Sequence, residues 1–168
     1  MVKINGGGFI HPRVYFKESE FLMIFNKKKH ESVCEVELLR IDYDVDSPSD
    51  EGSLLVKVLA TGDEILCCDV DCGAHLEFLS PGNTYEVFFT IFGAAVKLEG
   101  ENKKVKIHKN HHGGVEKIHG KVISIKGDWI LCDAGFPIYA MSISSRHDFK
   151  AGDHIVVAGG LRIEVILK

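Results

Sequence analysis

The chain has 168 residues, 45% of them hydrophobic and 26% charged, and a formal net charge of -4. This composition excludes global disorder and provides enough apolar material for one domain or two small ones. The early apolar run Phe21–Phe25 is far shorter than the roughly 20 residues that span a bilayer, and no secretory pattern opens the chain, so a cytoplasmic protein with no membrane partner is expected.

Residues 1–30 carry six basic and two acidic groups. Val14–Phe16 and Phe21–Phe25 are expected to form an N-terminal β extension. Alternating and β-rich runs then dominate, and the helical period is almost absent. Strands are expected at Val33–Ile41, Ser53–Ala60, Glu64–Val70, Thr84–Phe92 and Ala95–Glu99. A second series is expected at Gly120–Ile125, Trp129–Asp133, Pro137–Ile143, His154–Ala158 and Arg162–Leu167. Gly-Asp and Gly-Asn turns punctuate both series, because such turns need residues that tolerate positive φ or bond their own backbone. Short helices are expected at Ala74–Leu79 and Ser144–Phe149.

Two halves are suggested by an internal echo. Gly62-Asp63-Glu64-Ile65-Leu66-Cys67 matches Gly127-Asp128-Trp129-Ile130-Leu131-Cys132 at five of six positions, and Gly82–Val87 aligns loosely with Gly152–Val157. Each half ends in a glycine followed by an alternating strand, after Gly93 and after Gly160. Charge separates the segments further. Residues 31–101 hold three basic and sixteen acidic groups, and residues 102–126 hold seven basic and one acidic. The expected organisation is an extension (1–30), an acidic β domain (31–101), a basic His/Lys-rich connector (102–114) and a second β domain (115–168).

The second half, with five short strands and the stretch Phe149-Lys150-Ala151-Gly152-Asp153-His154-Ile155-Val156-Val157 leading into its fourth, resembles the oligonucleotide/oligosaccharide-binding (OB) fold. The first half resembles it less, because the acidic stretch Asp42–Glu51 interrupts its first two strands. The resemblance implies an all-β protein of two small five-stranded OB-like barrels, with a surface for single-stranded nucleic acid, sugars or proteins. Fold alone does not choose among these ligands.

Three constellations could carry chemistry. Lysines from Lys103 to Lys126, among them Lys117, Lys121 and Lys126, would attract phosphates. Single-strand binding also needs flat side chains for stacking, for which Trp129, Phe136 and Tyr139 are the candidates. The competing reading makes the lysines a solvated connector and the aromatics core. Asp42-x-Asp44-x-Asp46, followed by Asp50 and Glu51, begins like a calcium loop but has Ser47 and Ser53 where Gly and Glu are wanted, which favours an exposed acidic hairpin. Cys67-Cys68-x-x-x-Cys72-x-x-His75 holds zinc-ligand types. Adjacent Cys67 and Cys68 point to opposite faces of a strand, which leaves Cys68, Cys72 and His75 as weak metal candidates and no cofactor expected. Five cysteines at irregular spacing read as reduced thiols rather than a disulfide framework.

No nucleophile elbow, P-loop or dinucleotide fingerprint occurs, so a non-catalytic module is expected. Its partner is nucleic acid or, through the acidic half, a basic protein in the manner of inhibitors and immunity-type proteins. A metal-dependent protein is the third reading. Edge strands offer a route to an oligomer.

Overall fold

The computed structural model describes residues 33–43, 52–69, 76–98, 104–142 and 149–167. The N-terminal extension, most of the acidic stretch and most of the expected second helix lie outside the described residues. Among the described residues the fold is all-β, with one turn of 3-10 helix, Leu76–Phe78, inside the first expected helix. No helix among them is long and apolar enough to cross a membrane.

The described residues form ten strands in chain order: β1 (Cys34–Tyr43), β2 (Gly52–Val58), β3 (Glu64–Asp69), β4 (Thr84–Lys97), β5 (Lys106–Lys109), β6 (Val115–Lys126), β7 (Trp129–Asp133), β8 (Pro137–Ser142), β9 (His154–Ala158) and β10 (Leu161–Ile166). Two expectations need correction. Thr84–Phe92 and Ala95–Glu99 are one long strand, because Gly93 continues the ladder instead of breaking it. The basic connector is not wholly a connector: Lys106–Lys109 is a strand paired with β6.

Pairing closes two rings of five. In the first, β1 pairs β2, β2 pairs β3, β3 runs parallel to β10, β10 pairs β4, and the start of β4 returns to β1. In the second, β6 pairs β7, β7 pairs β8, β8 runs parallel to Thr90–Gly93 of β4, β4 pairs β9, and β9 returns to β6. Each half therefore places its final strand in the other half's ring. All ten strands belong to one sheet, and the ladders cross the expected boundary at residues 102–114.

The two rings share their construction. A bulge in β1 separates Leu38↔Val56 from Arg40↔Leu55, and a bulge in β6 separates Val122↔Cys132 from Ser124↔Leu131. At each bulge a Gly turn docks on the first strand. Leu38 N–H donates to Asn83 O at 2.9 Å and Leu38 O accepts from Gly82 N–H at 2.7 Å, while Val122 makes the same pair with Asp153 O and Gly152 N–H at 2.8 Å each. Gly82 and Gly152 hold φ near 88° and 92°, a conformation other L-residues rarely adopt. The loose echo Gly82–Val87 with Gly152–Val157 thus falls on equivalent strands. The closer echo does not: Gly62-Asp63 leads into the third strand of one ring, and Gly127-Asp128 into the second strand of the other.

Alternation along the strands turns Leu38, Val56, Phe89 and Ile163 into the first ring, and Ile118, Ile130, Ile138 and Ile155 into the second. These belong to one continuous core cluster. A smaller cluster of Phe88, Trp129, Leu131 and Tyr139 forms on the opposite strand faces, with Phe92 and Met141 packed against it.

Candidate nucleic-acid interface

Cross-strand register assembles a basic face on β5, β6 and β9. Lys106 stands opposite His119 and His108 opposite Lys117. On the other side of β6, Lys117 stands opposite Ala158, His119 opposite Val156 and Lys121 opposite His154. Ile107, Ile118, Ile155 and Val157 alternate with these residues and turn into the core. Period-2 alternation therefore sends Lys106, His108, Lys117, His119, Lys121 and His154 out on one side. Ala94 and Val96 of β4 extend this face as small, exposed apolar positions.

The lysines here differ from others nearby. Lys97 is bound to Asp153 at 2.9 Å, and Lys109 donates to Glu64 O at 2.7 Å and lies 3.7 Å from the Asp63 carboxylate. Lys106, Lys117 and Lys121 are exposed and make no ion pair among the described residues. The His108 and His119 rings sit 4.7 Å apart between them. Burial, then the charges of Lys117 and Lys106, hold His108 below the usual imidazole range against the opposing pull of Glu116. Burial, then His108, Lys117 and Lys106, act on His119 in the same direction. His108 Nε2 is shielded from solvent and has no hydrogen-bond partner among the described residues.

The expected residues separate into two groups. Lys117 and Lys121 lie on the face. Lys126 lies at the β6–β7 hairpin opposite Trp129, about 17 Å along the strand from Lys121. The exposed-aromatic expectation is corrected. Phe136, 2% exposed, packs in the main core against Phe89 with centroids 4.9 Å apart. Trp129 and Tyr139, each 9% exposed, pack edge-to-face in the second cluster, Trp129 also meeting Phe92 at 5.6 Å. Trp129 sits on the face of β7 opposite Ile130 and Cys132, and other side chains cover that face. Of the other residues on the face, Lys106, His108 and His119 belong to the Lys/His-rich segment that the sequence marks as basic, and His154 lies outside it. Lys106-x-His108 and Lys117-x-His119-x-Lys121 repeat at the strand period.

Of the metal candidates only Cys68 is described, and it lies exposed on β3. Cys72 and His75 lie outside the described residues, and among those described no three His, Cys, Asp or Glu side chains gather around a point. Of the carboxylates in the calcium-like stretch only Asp42 is described, and Arg40 holds it in a bidentate pair, with contacts at 2.7 and 2.6 Å.

The thiols divide as the alternation predicts. Cys68 is exposed while Cys34, Cys67 and Cys132 are buried. Burial pushes Cys34 up to about 11 and Cys132 up to about 12, and moves Cys67 in the same direction. In the native protein a disulfide reagent at neutral pH is expected to modify Cys68 and spare these three until denaturant is added. Peptide mapping of the labelled protein checks this, and labelling of Cys67 before Cys68 would contradict the face assignment.

No protein-family model matches the chain, and no curated protein matches its sequence.

Proposed function

We propose that this is a non-catalytic binding module, built of two OB-like five-stranded barrels with exchanged final strands, that holds single-stranded nucleic acid on the face of β5, β6 and β9. The OB-like reading is supported by two features common to both rings. The bulged first strand pairs both the second and the fourth strands, and the third runs parallel to the last. One observation carries the ligand: Lys106, Lys117 and Lys121 are exposed, unpaired among the described residues and aligned with three histidines by strand register. Such a face attracts a phosphate backbone and releases its counterions. The burial of Trp129 and Tyr139 makes the expected binding electrostatic, with little base stacking.

The test is fluorescence anisotropy with a labelled dT oligonucleotide of about twelve residues, a typical site size for such folds. Lys117→Glu with Lys121→Glu is expected to weaken binding about tenfold or more and to lower the log–log salt slope by about 1.4, at roughly 0.7 per lost single-strand phosphate contact. Lys126→Glu, more than a Debye length of about 10 Å away, is expected to change affinity about twofold or less. Equal effects of the two variants would place the ligand elsewhere.

A second reading, a basic protein partner, draws on a different surface. A groove of about 560 Å3 is lined by Glu35, Phe78, Thr84, Tyr85, Glu86 and Leu167. Phe78 is 60% exposed there, an apolar anchor beside two carboxylates. Failure of every single-stranded probe would favour this reading.

A further inference from the structure

We infer that Lys106, His108, Lys117 and His119 form the phosphodiester-holding subsite of this face, and that the two imidazoles tighten its grip as the solution is acidified. The inference rests on the nucleic-acid reading above and specifies which part of the face senses the ligand's charge.

The geometry is a two-by-two array. Lys106↔His119 and His108↔Lys117 are directly opposed pairs, so the lysines occupy one diagonal and the imidazoles the other. Directly opposed side chains in an antiparallel pair stand about 5 Å apart at Cβ, and the imidazole centroids are 4.7 Å apart. Four groups that are or can become cationic therefore converge over an area that one phosphodiester can cover. The floor is rigid, because Ile107 and Ile118 on the same strands turn inward and pack into the core. Among the described residues the shielded His108 Nε2 has no hydrogen-bond partner, an uncommon state for a shielded ring nitrogen.

The surrounding charges set the sign. On β5 the neighbour is Lys106. On β6 they are Lys117, Lys121 and the single carboxylate Glu116, and on β7 Asp133 stands opposite Lys121. On β9 the positions opposite His119 and Lys117 are uncharged Val156 and Ala158, with His154 one pair further on. Without ligand, burial and the lysines disfavour the protonated form of both rings. A phosphodiester adds negative charge at that point and favours the protonated rings, so binding takes up protons. Affinity must then rise as pH falls from the neutral range toward the depressed values of the free rings, and level off below them, where both states are protonated. One proton taken up gives at most tenfold per pH unit, and mutual repulsion of the two rings delays the second. The expected gain is about five- to tenfold between pH 7.5 and 6.0.

The experiment measures dT-oligonucleotide affinity of the full chain across that pH range at constant ionic strength, for the wild type, His108→Gln with His119→Gln, and His154→Gln. The expected result is a pH-dependent wild type, a double variant that binds at all pH values with the salt slope retained and the pH dependence lost, and a His154 variant, altered on the face but outside the four-residue array, that keeps the wild-type pH dependence whatever its affinity. A second measurement needs no variant: NMR titration of the histidine ring protons should show two imidazoles whose pKa rises on adding oligonucleotide. Salt-dependent binding with no pH dependence, pH dependence that survives in the double variant, or unmoved ring titrations would overturn the subsite and leave the nucleic-acid reading intact. Absence of oligonucleotide binding at every pH would instead overturn the nucleic-acid reading itself.

Discussion

Gly93→Ala is expected to destabilise the protein by more than about 4 kcal/mol, a rare magnitude for one added methyl group. Gly93 lies in β4 where that strand passes from β10 to β9, and Gly159 faces it in the short link between those two strands. A Cβ on Gly93 would fall 1.7 Å from the Ala158 carbonyl oxygen, and one on Gly159 would fall 2.2 Å from that of Phe92. Both obstacles are backbone, so no side-chain rotation relieves the overlap. The requirement is steric rather than conformational, since neither glycine has a positive φ. Moving the backbone there disturbs Ile91↔Leu161 on one side and Ala94↔Ala158 on the other, and through them both rings. Gly160→Ala is the control. An added Cβ there meets nothing within 4 Å, and the expected change is within about 0.5 kcal/mol. Urea melts of the two variants side by side check this, and similar midpoints would contradict the close approach of the strands.

That crossing also shows where sequence reasoning reached its limit. Local alternation is enough to locate β7 and β9 at their observed bounds, and to assign Cys67 and Cys68 to opposite faces. It divided β4 in two because a glycine within a β-run usually signals a break, whereas here it permits the ladder to continue. It missed β5 because Lys106-Ile107-His108-Lys109 has one apolar residue among three polar ones, the composition of an exposed connector. Only the partner strand shows that Ile107 packs on the core. On the candidate face, the lysine positions were legible from charge clustering. The exposure of Trp129 was not, because what covers a strand's outer side depends on side chains such as Phe92, distant in sequence. The exchange of final strands was hidden for the same reason. Nothing local to Leu161–Ile166 states that its neighbours are β3 and β4.

Cutting the chain between residues 98 and 104 is expected to yield two fragments that each fail to fold cooperatively, and that recover native strand content when mixed. Two self-contained halves would behave in the opposite way. In the first fragment the missing β10 opens the ring between β3 and β4, and removes Leu161, Ile163 and Val165, which are 2, 0 and 8% exposed. Burying one such side chain is worth about 1.5–3 kcal/mol, so losing three costs roughly 5–9 kcal/mol, as much as the whole stability of many domains at about 5–15 kcal/mol. The second fragment loses β4 from between β8 and β9, and with it Ala95 and Ile91 from the shared core. Mixing restores every one of these contacts, since the continuous ladder from Glu86↔Ile166 to Lys97↔Ile155 forms between fragments as it does within the chain. Circular dichroism of each fragment and of the equimolar mixture makes the comparison. A fragment that melts cooperatively alone would show that its ring closes without the exchanged strand. In the separated second fragment the basic face also loses its tie to the first half, because β9 is held on one side by β6 and on the other by β4. Oligonucleotide binding is therefore expected to return only with the mixture.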